Sequence, residues 1–321
     1  MSHELEIVNG KAQMAYAGQV PWHGLGTKVS TDLTPREMMV EAGLDWSVEK
    51  HSALINVRGE LIETGQEALI RTDTNAVLTN VGKNWNPVQN SEAFDFFAEY
   101  CAAGDMEMHT AGSLKNGEIT WVLAKVNESF DILGEDRIDS YLLLSNPHQY
   151  GKAINVRFTP IRVVCNNTLT FSLSTKSNNQ VSLNHRNKFN PDLVKEHLGI
   201  AHQKFAQYKE MAEFLSHKRA SYSELINYFN NVFPIANTAK KQVNTYEEMS
   251  RTAKTAYDAI ETQPGAEFGE GSWWQALNAV TYTTDHLLGR SADARMVSAW
   301  FGANQAKKVN AVNLAVELAT A

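Results

Sequence analysis

The chain has 321 residues, of which 43% are hydrophobic and 20% are charged, and its formal net charge at pH 7 is −7. This composition is that of an ordinary soluble globular protein, long enough for one large or two medium domains. No apolar run approaches the ~20 residues that cross a bilayer, and the first residues lack the parts of a signal peptide, so we expect a cytoplasmic protein without a membrane partner.

A helix and a group of strands are predicted in the first hundred residues. Thr34 and Glu37 are spaced as a capping box, with Pro35 at the first helical position, which predicts a helix over residues 35–42. An antiparallel meander is predicted next, with turns at Arg58-Gly59-Glu60 and at Thr72–Asn75. Its strands are residues 46–57, 61–71 and 76–82.

A second helix and a hairpin follow. Ser91 is a typical N-cap residue and predicts a helix that runs to about Cys101 and ends before Gly104. Asn116-Gly117 tolerates positive φ at both positions, which predicts a type I′ hairpin turn. The hairpin strands are residues 106–114 and 118–126, and further strands are predicted at residues 140–144, 153–159 and 169–173.

The strand at residues 153–159 alternates apolar and polar side chains. Its two faces are Ile154, Val156 and Phe158 on one side and Asn155, Arg157 and Thr159 on the other. Successive side chains of a strand point to opposite faces of the sheet. We therefore expect the first face to pack in a core and the second to be polar and basic.

From Asn190 onward almost every segment is predicted to be helical, so we place a domain boundary there. The sequence predicts an α+β fold, with an antiparallel-sheet domain and flanking helices over residues 1–189 and a helical domain over residues 190–321. A heptad stripe from Val194 to Leu215 fits either an internal bundle or subunit assembly. Three capping boxes and their helices are Ser221 with Glu224 (222–233), Thr245 with Glu248 (246–261) and Ser272 with Gln275 (273–289), followed by helices from about 292 and 305.

The distribution of charge is the most informative feature for function. No Asp or Glu occurs between Ser140 and Pro191, although acids make up 36 of the 321 residues. The cations of this acid-free segment are Lys152, Arg157, Arg162, Lys176, Arg186 and Lys188. Concentrated positive charge favours a phosphate-bearing partner, whereas the alternative is chance composition in a region of strands and loops.

The sequence shows no pattern that demands catalysis, a metal or a cofactor. The ten histidines are scattered, and Cys101 and Cys165 have no CxxC partner, which disfavours a zinc site and a disulfide frame. The Gly24–Lys28 run lacks the full phosphate-binding loop pattern, so we interpret it as a simple turn. We therefore expect no cofactor and no catalytic residues.

Two features near the C-terminus admit a functional and a structural interpretation. Trp273 and Trp274 belong to an apolar helical stripe, which fits core packing better than stacking on nucleobases. Asp285-His286 could form a general-base pair, but adjacent residues on a helix diverge. We interpret that dipeptide as a surface feature.

Several stretches of the chain resemble a known family. Pro21–Thr27, Arg162–Leu169, Trp274–His286, Phe301-Gly302 and Ala306–Lys308 are similar to signature stretches of the phage/plasmid-like proteins of domain of unknown function 932. Members of that family are encoded by phages, plasmids and integrative elements, often beside genes for single-strand binding or recombination. The resemblance implies a mobile-element protein and carries over no catalytic residue.

The charge pattern and the resemblance together predict a non-catalytic protein that binds single-stranded DNA and assists annealing or recombination in the cytoplasm of a bacterial host. We expect a homo-oligomer. One alternative is a phage structural or host-interaction protein that does not bind nucleic acid. Another is a nucleotide- or nucleic-acid-processing enzyme, which would need convergent acids or a metal.

Overall fold

A computed structural model describes residues 6–8, 10–18, 26–162, 167–168, 180–186, 190, 205–235, 243–289, 295, 298–300 and 302–321. The chain forms two compact units that interleave along the sequence. Unit 1 comprises Met1–Asn127, Tyr141–Phe158 and Asn178–Gly199, and unit 2 comprises Glu128–Ser140, Thr159–Ser177 and Ile200–Ala321. The boundary predicted between residues 189 and 190 stays a prediction, because most residues beside it lie outside the described ranges.

The strands and helices confirm the α+β class, with most strands in the first two thirds of the chain and helices toward its end. The strands are β1 (Ile7–Val8), β2 (Lys11–Ala12), β3 (Met14–Ala17), β4 (Thr27–Val29), β5 (Val48–Val57), β6 (Glu60–Arg71), β7 (Val77–Val81), β8 (Met106–Leu114), β9 (Ile119–Ile132), β10 (Asp136–Pro147), β11 (Ile154–Arg162), β12 (Asn167–Thr168) and β13 (Gln180–Leu183). The helices are α1 (Pro35–Glu41), α2 (Asn90–Asp95), α3 (Ala98–Ala103), α4 (205–217), α5 (Tyr222–Val232), α6 (Arg251–Thr262), α7 (Trp273–Tyr282) and a C-terminal helix (Ala303–Thr320).

Three sheets organise the strands. Strands β1 and β2 pair with each other, and β5-β6-β7 form the predicted antiparallel meander. The largest sheet has the order β12-β11-β10-β9-β8-β3-β4, with β13 also paired to β11. All of its pairings for which a register is given are antiparallel except that of β3 with β4.

The two predicted hairpins, β5–β6 and β8–β9, are present. Arg58 and Gly59 both have positive φ, 57° and 95°, as a type I′ turn between β5 and β6 requires. The β8–β9 hairpin pairs Leu114 with Ile119, as expected from Asn116-Gly117. Its turn is nevertheless a 3₁₀ turn over Lys115–Gly117 with positive φ at all three residues, so the predicted two-residue type I′ turn was wrong.

The core of unit 1 lies against one face of the large sheet. Ile154 and Val156 of β11 are 1% and 2% exposed and join this core, against which Phe158 also packs. The predicted apolar face of residues 153–159 is therefore confirmed. Helix α1 begins with the predicted Thr34 capping box. Helix α2 is capped by Gln89 and not by Ser91. The Gln89 side chain is held in place by hydrogen bonds to the backbone N–H and C=O of Val48 in β5.

The helix starts of unit 2 follow the predictions at two of three capping boxes. Ser221 and Ser272 cap α5 and α7 as predicted. Thr245 does not cap a long helix: Tyr246–Glu248 is a single 3₁₀ turn, and Ser250 caps α6 instead. The hydroxyl of Ser250 also donates to a backbone carbonyl, which adds a tertiary contact that the Thr245 box lacks.

Aromatic side chains fill the interior of unit 2. Trp273 and Trp274 are 1% and 0% exposed, which confirms core packing for the predicted stripe. Trp274 Nε1 donates to Asp136 Oδ2 at 2.8 Å. The described part of the heptad stripe, which comprises Phe205, Tyr208, Ala212 and Leu215, is buried. This half of the stripe therefore packs inside unit 2. The residues of its first half lie outside the described ranges. The strand predicted at residues 169–173 also lies outside them.

Among the helices that the structure describes, none combines the length and the hydropathy needed to span a bilayer.

Candidate nucleic-acid interface

The structure places three of the six predicted cationic side chains in unit 1. Lys152 is exposed in the turn after β10, Arg157 is half-buried on β11, and Arg186 is exposed in the turn after β13. Arg157 also interacts with other residues of the chain. The remaining side chains lie outside the described set: Arg162, whose backbone ends β11, Lys176 and Lys188.

Strand register places two of these cations beyond the same end of one ladder. Strands β11 and β13 are antiparallel, with Ile154 opposite Leu183. Lys152 precedes Ile154 by two residues and Arg186 follows Leu183 by three, so both lie at the same end of this ladder. Arg157 lies five residues further along β11, about 16 Å from Lys152 at ~3.3 Å per residue. Two of the described cations therefore lie at one end of the ladder and Arg157 lies apart from them, so the three do not form a single compact cluster.

Lys152 and Arg186 are available to an anion. Within the described ranges neither side chain is paired with a carboxylate. A carboxylate does occur at the same turn, since Glu118 Oε2 accepts a hydrogen bond from Gln149 Nε2 at 2.9 Å. That bond connects Gln149 to Glu118, and no ion pair between Glu118 and Lys152 is present among the described residues.

An exposed aromatic residue lies beside this cation pair. The backbone N–H of Lys152 donates to the carbonyl of Gln149, and Gly151 has φ +76°, so Tyr150 and Gly151 occupy the central positions of a type II turn. Tyr150 is 67% exposed. The sequence prediction missed Tyr150; the available signal was an aromatic residue immediately before a glycine in an acid-free segment. We call Tyr150, Lys152 and Arg186 the Tyr150 surface.

The turn that carries Arg186 is fixed by its neighbours. The His185 ring stacks on Trp85, with centroids 4.0 Å apart and planes 20° apart. His185 Nδ1 lies 3.2 Å from the carbonyl oxygen of Asn86, so it must carry the proton that it donates. The side chain of Asn184 accepts from the N–H of Arg186, which is a local Asx turn. Burial lowers the pKa of His185, so this histidine adds no charge to the surface at neutral pH.

A buried polar network supports the turn that carries Tyr150. The amide nitrogen of Asn90 donates to the carbonyls of Leu44 and Trp46, so its Oδ1 is free to accept from Thr120 and from His148 Nε2. His148 must therefore be protonated on Nε2. Burial, with a smaller effect of His185, lowers the pKa of His148 to about 3, so the ring is neutral at physiological pH.

Unit 2 contains a buried ion pair that the sequence did not reveal. Lys308 is fully buried, and its Nζ lies 2.9 Å from Asp285 Oδ1, which is 8% exposed. The interpretation of Asp285 as a surface residue was wrong, because Asp285 continues the buried face of α7 that carries Trp274 and Thr281, into a π-helical turn over Thr283–Leu287. Asn304 Nδ2 ties the same turn to the C-terminal helix through the carbonyl of Thr284 at 3.1 Å.

Neither a metal centre nor a nucleophilic thiol emerges from the described residues. No group of three or more His, Cys, Asp or Glu side chains there is placed to hold a metal ion. Burial, with a smaller effect of Glu107, raises the pKa of the Cys101 thiol to about 11, so it is protonated at neutral pH. Cys165 lies outside the described ranges.

Comparison with known proteins matches most of the chain to a family model. A family model described as "Domain of unknown function (DUF932)" matches residues 77–310, which is more than half of the chain and includes the Tyr150 surface. No curated protein and no solved structure matches the chain.

Proposed function

Because the chain belongs to the DUF932 family, whose description assigns no activity, we propose a function from its surface chemistry: it binds single-stranded DNA through the Tyr150 surface, without catalysis. We place it in the cytoplasm of a bacterial host as a phage or plasmid protein that assists annealing or recombination. The supporting observation is the juxtaposition of Tyr150 with two exposed cations that have no carboxylate partner among the described residues.

Each residue of this surface has a distinct role in the proposal. Lys152 and Arg186 neutralise phosphates, the lysine as a point charge and the arginine as a planar fork. Tyr150 stacks on a base, a contact that contributes ~1–3 kcal/mol and requires an unstacked base. The net charge of −7 weakens attachment of DNA elsewhere on the protein. The combination favours a single strand over a duplex, whose bases are stacked and paired.

The rigidity of the surface also supports binding. The turns that carry Tyr150 and Arg186 are fixed by His148 and His185, both of which are buried. A pre-formed site loses less conformational entropy on binding than a mobile one. The two histidines are thus positioning residues for this surface.

The test is fluorescence anisotropy with a labelled oligothymidine and with a duplex of equal length. We expect tighter binding of the single strand, and we expect Tyr150→Ala to weaken it about 5- to 150-fold, the range that one stacked base provides. Tyr222→Ala is the matched control, since Tyr222 is 53% exposed and lies in unit 2. Equal loss in both variants, or no binding by the wild type at low salt, would remove the proposal and favour a structural or host-interaction role.

A further inference from the structure

The carboxylate of Glu118 lies beside the Tyr150 surface. Glu118 Oε2 accepts a hydrogen bond from Gln149 Nε2 at 2.9 Å. Gln149 directly precedes Tyr150, and consecutive Cα atoms are ~3.8 Å apart. The carboxylate is therefore one glutamine side chain and one hydrogen bond away from the backbone that carries the exposed ring. Glu118 comes from a distant part of the sequence, since it immediately precedes β9.

The position of Glu118 is fixed at its backbone and at its side chain. Its N–H donates to the carbonyl of Lys115 at 3.2 Å, and its carbonyl accepts from the N–H of His148 at 2.8 Å. The side-chain bond to Gln149 adds a third contact. Glu118 is thus bonded to the two successive residues that lead into Tyr150. A carboxylate held in this way loses little conformational entropy when it binds a ligand.

The same carboxylate keeps unused hydrogen-bonding capacity. An ionised carboxylate is an acceptor only, and its two oxygens offer about four lone-pair sites. The bond from Gln149 occupies one of these sites. Among the described residues, no other side chain donates to Glu118 and no cation forms an ion pair with it. Glu118 is half-buried and not enclosed, so a ligand has access to the remaining sites.

A carboxylate at a surface that binds single-stranded DNA distinguishes between bases. It repels phosphates, so it does not strengthen contact with the backbone. It accepts a hydrogen bond from the exocyclic amino group of cytosine, whereas thymine and uracil present a carbonyl oxygen at the same position. A single-stranded base that is stacked on an aromatic ring has this edge free for hydrogen bonding. A carboxylate beside such a ring therefore favours a base that carries an amino group.

We infer that Glu118 is a specificity-determining residue of the proposed DNA site. Its carboxylate accepts from the amino group of a base stacked on Tyr150, so single strands that contain cytosine are preferred to those that contain only thymine or uracil. This inference rests on the proposed function and adds a preference among bases to it. The alternative is that Glu118 only holds the turn through Gln149. That structural role predicts no difference between bases, so base preference is the decisive readout.

Fluorescence anisotropy with labelled oligodeoxycytidine and oligodeoxyuridine of equal length tests the inference at neutral pH. Neither base carries a methyl group, and the two differ on the edge that the carboxylate would contact. We expect the wild type to bind the cytosine strand about tenfold more tightly, the lower end of what a hydrogen bond to a charged group provides. The ratio of the two affinities is the measured quantity.

Glu118→Gln separates the charge from the turn. The amide keeps an oxygen for Gln149 and presents N–H donors, which match the carbonyl of uracil and not the amino group of cytosine. We expect the ratio to fall to about one, because the acceptor for the amino group is lost. Binding of the uracil strand should become tighter, because a charge that repels phosphate is removed. The two strands should therefore respond in different directions.

Glu41→Gln is the matched control, since it removes one negative charge from an exposed residue at the end of α1 and should leave the ratio unchanged. The inference is overturned if the wild type binds both strands equally, a comparison that does not depend on the folding of any variant. It is also overturned if Glu118→Gln keeps the preference while circular dichroism shows a native fold. Equal binding of both strands leaves the proposed function intact, whereas binding of neither strand removes both.

Discussion

The buried ion pair of unit 2 provides a quantitative test of the folding argument. Replacing Lys308 by methionine keeps the length of the side chain but removes the charge that lies 2.9 Å from Asp285. The hydroxyl of Thr284 is 3.4 Å from Asp285 Oδ1, at the limit of hydrogen-bond distance, so it compensates weakly. Removing one partner of a buried pair costs about 3–5 kcal/mol, and we expect about 3 kcal/mol for Lys308→Met.

The double variant Asp285→Leu with Lys308→Met separates pairing from packing. It removes both charges, and apolar replacements of a buried pair are often neutral, so we expect the double variant to be more stable than Lys308→Met. Lys209→Met is the control, because Lys209 and Glu213 form a pair that is about half exposed and 3.8 Å apart, worth less than about 0.5 kcal/mol. Urea unfolding followed by tryptophan fluorescence measures all three. A loss below about 1 kcal/mol in Lys308→Met, or a double variant as unstable as the single one, would refute the reasoning.

Three further predictions concern local structure. Because the folded pKa of His148 is about 3 and its ordinary value is 6.5, the unfolded state binds the proton first, so stability should fall as pH drops from 6.5 toward 3. The loss from His148 should be about 2 kcal/mol at pH 5, and the total loss should be smaller by about that amount in His148→Gln when unfolding is measured across that range, since the lowered pKa of His185 adds a loss of its own. Ser250→Ala should lower the free energy of thermal unfolding by about 1 kcal/mol, whereas Thr245→Ala should lower it much less. The reverse order would show that Thr245, and not Ser250, is the stabilising cap. Gly117→Ala should destabilise the protein by more than about 1 kcal/mol, because φ at Gly117 is +95° and the added Cβ would lie 2.7 Å from Nη1 of the buried Arg71. Unchanged stability of this variant would show that the turn relaxes without cost.

Local sequence rules predicted the parts of the fold that depend on a few neighbouring residues. The Thr34 capping box and the Arg58-Gly59 turn are satisfied within one turn of chain, and both are present. The start of α2 was wrong because Gln89 is fixed by hydrogen bonds to Val48, 41 residues away. A contact of that sequence separation leaves no trace in a local pattern.

The candidate site was predictable in its charge but not in its geometry. The absence of acids between Ser140 and Pro191 is visible in the sequence, yet which cations meet depends on the register of β11 with β13. The role of Asp285 depended on the same kind of information. Its partner Lys308 is 23 residues away, and no local pattern shows that a lysine compensates the buried carboxylate.

The salt dependence of single-stranded DNA binding tests the central claim most directly. The logarithm of affinity falls with the logarithm of salt concentration by ~0.7 for each phosphate neutralised on a single strand, so replacing both Lys152 and Arg186 by alanine should reduce the slope by about 1.4. Lys28→Ala, at an exposed cation of β4 outside the Tyr150 surface, should leave the slope unchanged. A slope that is the same in the double variant and the wild type, with the fold intact, would contradict phosphate contact at this surface.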